Sequence, residues 1–355
     1  MKRILYLTNI VVPYKVRLLN ELSRYCDLTV LYEREKSSNR NGAWAVSEEI
    51  RYPIEYLNGI RLRNEFTFSF RILKPILSKY DVVIISCYNS PVQMMASLVL
   101  RLLHIPYILS LDGEIFLKDN CFRTKLKRGI LTGAKKYLVP GEKSAESLRS
   151  VSGAAEIVPY YFSSLTDQEL KEHATYAEAH KHSSTILVVG QYFDYKGMDI
   201  ALMAAKMDPA HHYKFIGMGN RTESFIKREK VEDINHVEVI PFLQRQQLEQ
   251  EYQKCKMVIL PSRQECWGLV INEAASYGAP IVATWGSGAA VEFLADRYPC
   301  FLAKPGDAED LYQCIRRCSD RRDTTEYSRY LIEKSMNYSI GASLKAHLKA
   351  CGIVM

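Results

Sequence analysis

PSRQECWGLVINEAASYGAP, residues 261–280, decides how this chain is read. The residues before it, Met257 to Leu260, are uniformly apolar, as in a strand buried on both faces of a parallel sheet. Pro261 and Ser262 turn the chain, Gly268 loosens it, and a helical run follows until Gly278 and Pro280 stop it. Strand, loop, helix and the next strand in one stretch make a βαβ unit. Glu265 falls in the loop and Glu273 about one turn into the helix, so both carboxylates can approach a ligand held at the helix start. Unpaired N–H groups and a positive dipole end there favour a phosphate by roughly 0.3 to 1 kcal/mol.

The same alternation extends in both directions. Strands are expected at Arg3 to Leu7, Leu28 to Tyr32, Val82 to Ser86, Tyr107 to Ser110 and Lys136 to Val139, then at Thr185 to Val189, Tyr213 to Ile216, Val237 to Ile240, Met257 to Leu260 and Ile281 to Ala283. A polar stretch from Ser163 to Ser184 separates the two series and reads as a helical or loose connection. With 355 residues, the chain is expected to form two doubly wound α/β domains, 1–165 and 166–355, facing each other across a cleft. The final helix is allowed to pack back on the first domain. The first turn, Thr8 to Tyr14, has no glycine, which disfavours a dinucleotide-binding dehydrogenase.

Two further stretches follow strands, where open α/β sheets bind ligands. In VVGQYFDYKGMD, Val188 to Asp199, Gly190 allows a tight turn and Lys196-Gly197 places a point charge for a diphosphate. The small residues of GSGAAVE, Gly286 to Glu292, suit a backbone nest for anions. Taken singly, each feature has a bland reading: Glu265 as a solvated loop carboxylate, Glu273 as a helix-surface residue.

Together they resemble the nucleotide-sugar half of a GT-B glycosyltransferase of family 4, the glycosyl transferases group 1. The resemblance rests on Glu265 and Glu273 in E-x7-E, on Gly190 and Lys196 in G-x5-K-G, and on PGDAEDL at Pro305 to Leu311. It implies a donor site of Gly190, Gln191, Lys196, Gly197, Gly217, Arg263, Glu265, Gly268, Leu269 and Glu273. In that site Glu273 would take the ribose hydroxyls, Glu265 the donor sugar and Lys196 the diphosphate. The family usually carries Arg where this chain has Gln191, and Arg263 is the expected substitute cation.

The first half carries ILSLDGEIF, Ile108 to Phe116, aligned with a stretch where many relatives have His-Gly. Asp112 stands in for that histidine and can accept a bond from a sugar hydroxyl or take its proton. It is the candidate catalytic residue of this half, beside Glu265 and Lys196 of the other. A turn aspartate before Gly113 is the alternative. No metal or cofactor is expected.

The net charge of +7 is unevenly placed: residues 1–165 hold 24 basic and 15 acidic residues, a net of +9, and the rest 23 and 25, a net of −2. Lys118, Arg123, Lys125, Lys127 and Arg128 interleave with apolar residues, as in a basic helix lying on an anionic membrane or beside an acceptor. A solvated helix face reads equally well. No nucleic-acid module accompanies the patch. The apolar stretch Pro91 to Leu109 is too interrupted to span a bilayer, and nine cysteines without paired C-x-x-C motifs suit reduced thiols in the cytoplasm.

The resemblance implies metal-independent, retaining hexosyl transfer. The donor would be a nucleotide diphosphate sugar, a UDP-sugar first, and the acceptor a glycan or lipid-linked glycan. Synthesis of an envelope polysaccharide, lipopolysaccharide or capsule, at the inner face of the membrane is the expected setting. An epimerase or phosphorylase-like enzyme of the same fold, or a non-catalytic nucleotide-sugar-binding partner, are the rival readings.

Overall fold

The computed structural model of the chain describes residues 1–35, 48–61, 67–87, 90–112, 129, 132–152, 156–177, 184–321 and 324–354. It divides into two compact units, the first formed by Met1–Ser164 with Ile340–Met355, the second by Leu165–Ser339.

In the first unit, strands Arg3–Thr8 (β1), Asp27–Tyr32 (β2), Ile54–Tyr56 (β3), Val82–Ile85 (β6), Ile108–Ser110 (β7), Lys136–Pro140 (β8) and Glu156–Tyr160 (β9) form one sheet. Their order is β3-β2-β1-β6-β7-β8-β9 and every pairing is parallel. A separate antiparallel pair joins Ile60–Arg61 (β4) and Thr67–Phe68 (β5). Parallel strands need cover on both faces, which is why Ile4 to Leu7 are fully buried. One piece of that cover is the helix Ile340–Ala350, which packs on β8, β9 and the helix Pro13–Leu22. It brings His347 into the core, 5.2 Å ring to ring from Tyr160 and 6.5 Å from Tyr6.

The second unit orders Thr185–Val189 (β10), His212–Ile216 (β11), Val237–Ile240 (β12), Met257–Leu260 (β13), Ile281–Thr284 (β14) and Leu302–Ala303 (β15) as β12-β11-β10-β13-β14-β15, again all parallel. The order reverses between β10 and β13, so the crevice at their carboxyl ends is the topological switch point where such sheets hold ligands.

All ten expected strands are present, with ends shifted by no more than one residue. Among the described residues five strands are additional, the antiparallel pair β4 and β5 among them. β9 was obscured by Pro159, which the sheet tolerates because β9 is an edge strand. β3 and β15 span only three and two residues, too short for a clear apolar run. The connection from Ser163 to Ser184 contains the helix Asp167–Ala177.

Burial lowers the His347 pKa to about 4 from the ordinary 6.5, while its Nδ1 lies 2.8 Å from the Ser343 carbonyl. The unfolded chain therefore takes up a proton before the folded one does. Native stability is complete above pH 6.5 and falls as pH drops toward 4, by about 3 kcal/mol in all. Denaturant midpoints measured between pH 7 and pH 5 should fall in the parent chain and fall less in His347→Gln. The same slope in both proteins would remove His347 as the cause.

Candidate functional site

The loops after β10, β13 and β14 lock together at the switch point of the second unit. After β10 the chain makes a 3₁₀ turn at Asp194–Lys196 and enters the helix Met198–Lys206 through Gly197, whose φ is +68°. A Cβ on Gly197 would stand 2.1 Å from the Pro261 carbonyl oxygen, so only glycine admits this approach. The Gln264 amide donates to the Tyr195 carbonyl at 3.2 Å. The Arg263 guanidinium forks onto both oxygens of Asp199, at 2.8 and 2.5 Å, and donates to the Asp194 carbonyl at 2.6 Å. That fork lowers the Asp199 pKa although burial opposes it, and raises the Arg263 pKa.

From the same block, Lys196 Nζ donates to Glu265 Oε2 in an ion pair whose two side chains are mostly shielded from solvent. The β14 loop braces it: Thr284 Oγ1 donates to the Ser262 carbonyl at 2.5 Å, and the Glu265 amide to the Gly286 carbonyl at 2.7 Å.

The helix Leu269–Ser276 starts beside that pair. Its cap is Gly268, at φ +104°, where a Cβ would meet Leu260 Cδ2 at 2.8 Å. Among the described residues, the amides of Gly268, Leu269 and Val270 donate to no protein group, so the helix start offers N–H groups to an anion. Glu273 stands one turn on, half-buried, and accepts from the hydroxyl of buried Tyr252 at 3.1 Å. Lys196, Glu265, Gly268, Leu269 and Glu273 are thus gathered on the loops and helix that follow β10 and β13. Gly190 and Gly217 end β10 and β11, with amides bonded to the carbonyls of Ile216 and Ile240. The Gln191 carbonyl accepts from the Phe193 amide at 3.0 Å.

One expectation changes. The stretch Gly286 to Glu292 is no anion nest, because its amides are already bonded: Ser287 to Thr284 O, Gly288 to Glu265 O, Ala289 to Trp267 O and Ala290 to Ser287 Oγ. It is an internal brace for the Glu265 loop. Arg263, the expected substitute cation for Gln191, is paired with Asp199. A cation that sequence reading missed does face that loop: the Arg221 guanidinium lies 4.0 Å over the Phe193 ring and donates to the Tyr192 carbonyl at 3.5 Å. No sequence pattern connects Arg221 to Phe193; only the β10·β11 pairing does.

In the first unit, Asp112 follows β7 at the carboxyl edge. Its Oδ2 accepts from Lys15 Nζ at 2.8 Å, and its Oδ1 lies 3.5 Å from the Tyr160 hydroxyl. Lys15 was not anticipated. Lys118, Arg123, Lys125, Lys127 and Arg128 lie outside the described residues, as do Gly113 and Glu114. Among the described residues no cluster of His, Cys, Asp and Glu is arranged to hold a metal, and no helix is long and apolar enough to cross a membrane.

Two doubly wound α/β units with ligand loops at the carboxyl ends define the GT-B fold. The structure of Anabaena HepE in complex with UDP and glucose superposes with a TM-score of 0.74 at 15% identity, covering 99% of this chain and 100% of that one. Residues 172–337 match the family model described as Glycosyl transferases group 1. An uncharacterized glycosyltransferase of Methanocaldococcus jannaschii is 25% identical over 70% of this chain and 68% of its own length. An uncharacterized 41.2 kDa protein in the cps region of Klebsiella pneumoniae is 31% identical over 30% of this chain and 29% of its own.

Gly197→Ala should destabilise by about 1–3 kcal/mol and part the two loops. Gly306→Ala has a similar backbone, φ +83°, but open space, its nearest neighbour being Arg263 Nε at 3.9 Å. Melting curves with and without UDP should show both variants weakened and only Gly197→Ala unresponsive to UDP. Equal responses would mean that the Gly197–Pro261 contact does not shape the site.

Proposed function

We propose that this protein is a glycosyltransferase that moves a sugar from a UDP-sugar to a hydroxyl of a glycan or lipid-linked glycan, with retention of anomeric configuration. The observation that carries the reading is the Lys196–Glu265 pair set beside the unbonded first amides of the helix Leu269–Ser276 at a sheet switch point. A lysine and a helix start are what a departing diphosphate needs, since charge grows on its oxygen as the bond to the sugar C1 breaks. The acceptor oxygen bonds C1, and its proton goes to a carboxylate or to the leaving diphosphate.

The roles follow the residues. Lys196 and the amides of Leu269 and Val270 receive the diphosphate. Glu273 takes the ribose hydroxyls, its position fixed by Tyr252. Glu265 turns from Lys196 to the donor sugar as the diphosphate takes over the ammonium. Asp112, in the first unit, binds the acceptor hydroxyl. The match to the glycosyl transferases group 1 model and the UDP held by HepE support the donor class. The resemblance to family 4 supports retention. The Klebsiella relative from a cps region supports envelope polysaccharide as the product, and the net charge of +9 on residues 1–165 supports work at an anionic membrane face.

A thermal-shift panel of nucleoside diphosphates and their sugars tests the reading. UDP at 100 times its Kd should stabilise the parent chain by about 2.7 kcal/mol. Lys196→Ala and Glu273→Ala should keep their fold by circular dichroism and lose that response. A parent chain that responds to no nucleotide, or variants that respond like the parent, would overturn the assignment.

A further inference from the structure

Lys15 is a lysine in an unusual place. It sits in the first turn of the helix Pro13–Leu22, directly after β1, and is only 4% exposed. Lysines are almost never buried to this extent unless paired. Its ammonium donates to Asp112 Oδ2 at 2.8 Å and to Thr8 Oγ1 at 3.2 Å, reaching across the end of β6 to the second residue after β7. The two partners are buried unequally: the Lys15 side chain is 5% exposed and that of Asp112 35%. The carboxylate is the end that opens to solvent.

The other groups facing this pair are Tyr6 on β1, Tyr14 beside Lys15, Tyr160 on β9 and His347 on the helix Ile340–Ala350. Burial raises the pKa of Tyr6 and Tyr160 and lowers that of His347, so these three stay neutral near pH 7. Burial is the largest influence on Lys15 and opposes its charge, but Asp112 together with Tyr14 and Tyr6 outweighs it and the lysine pKa rises. Among these groups Lys15 is therefore the only cation facing Asp112. Tyr160 donates its hydroxyl to the Leu111 carbonyl at 2.8 Å, which pins the backbone next to Asp112.

We propose that Lys15 is the positioning residue of the acceptor-side carboxylate: its buried ammonium fixes Asp112 Oδ2 and leaves Oδ1 as the atom that receives the acceptor hydroxyl. This rests on the reading of Asp112 given under Proposed function. A merely structural pair would tie β1 to β7 equally well with two neutral groups of the same shape. A carboxylate that must take a hydroxyl in one orientation needs the charge.

The test compares the full-length parent with Lys15→Met, Asp112→Asn and the double variant. Donor binding is read by thermal shift with UDP, and turnover by UDP release from UDP-glucose, UDP-galactose and UDP-N-acetylglucosamine. Lys15→Met should retain the UDP response and the KM for the nucleotide sugar while kcat falls about 100-fold. Asp112→Asn should melt lower than Lys15→Met, because it strands a buried ammonium, whereas Lys15→Met strands a carboxylate that water reaches. The double variant should recover the melting temperature and not the turnover. Parent-like turnover in Lys15→Met or in the double variant would overturn the inference. If Lys15→Met does not fold, Lys15→Arg takes its place: reduced kcat at unchanged KM supports the assignment and parent-like kcat overturns it. A parent that ignores UDP removes the donor reading itself. A parent that binds UDP but releases none from any of the three donors removes the reacting role of Asp112, and Lys15's role with it.

Discussion

The carbonyl oxygen of Pro261 occupies the space where a side chain on residue 197 would be, and the proposed donor site hangs on that contact. Neighbouring parallel strands lie about 4.8 Å apart, so the loops leaving β10 and β13 must either diverge or interlock. Here they interlock: glycine removes the obstruction, Arg263 forks across the seam to Asp199, and Gln264 bonds to Tyr195. Lys196 and Glu265, one from each loop, meet because the loops cannot separate. The side chains that would receive a diphosphate are thus held before it arrives, which is where preorganised electrostatic sites gain their advantage.

Charge at this seam is nearly all matched internally. Lys196 faces Glu265, and Arg263 faces Asp199 with Asp194 alongside at 3.8 Å. In the proposed donor role, an incoming diphosphate must compete with Glu265 for Lys196. That competition selects for ligands that offer Glu265 something in return, and a sugar hydroxyl is a suitable donor to a displaced carboxylate. The helix amides add charge-free donors, and Arg221, stacked on Phe193, adds a cation at the β11 side of the same loop.

What could be read from the sequence is what is local in it. The βαβ unit around residues 261–280, the loop position of Glu265 and the helical position of Glu273 follow from apolar runs, turn residues and helix stops a few positions apart. So does Lys196 after β10. What could not be read depends on partners distant in sequence. Gly286 to Glu292 has the composition of a nest, but carbonyls of Glu265 and Trp267 had already taken its amides. The partner of Arg263, Asp199, lies 64 positions away. Lys15 was not anticipated, because its partner Asp112 lies 97 positions downstream. The Pro159 strand was hidden by a residue that forbids a central strand and is harmless at an edge.

Lys15 and His347 illustrate how one pocket treats two bases. Both are enclosed by Tyr6, Tyr160 and apolar neighbours, and both lose hydration on folding. Among the described residues His347 is hydrogen-bonded to the Ser343 carbonyl and stays neutral; Lys15 has a carboxylate and stays charged. Stability alone does not call for that charge, because buried ion pairs replaced by packed apolar residues are often neutral or stabilising. A methionine at position 15 would fill the same space without desolvating an ammonium. The feature an apolar substitute cannot reproduce is a carboxylate held at the sheet edge with one oxygen fixed and its side chain one-third exposed. The acceptor role proposed for Asp112, more than the packing around Lys15, accounts for the pair.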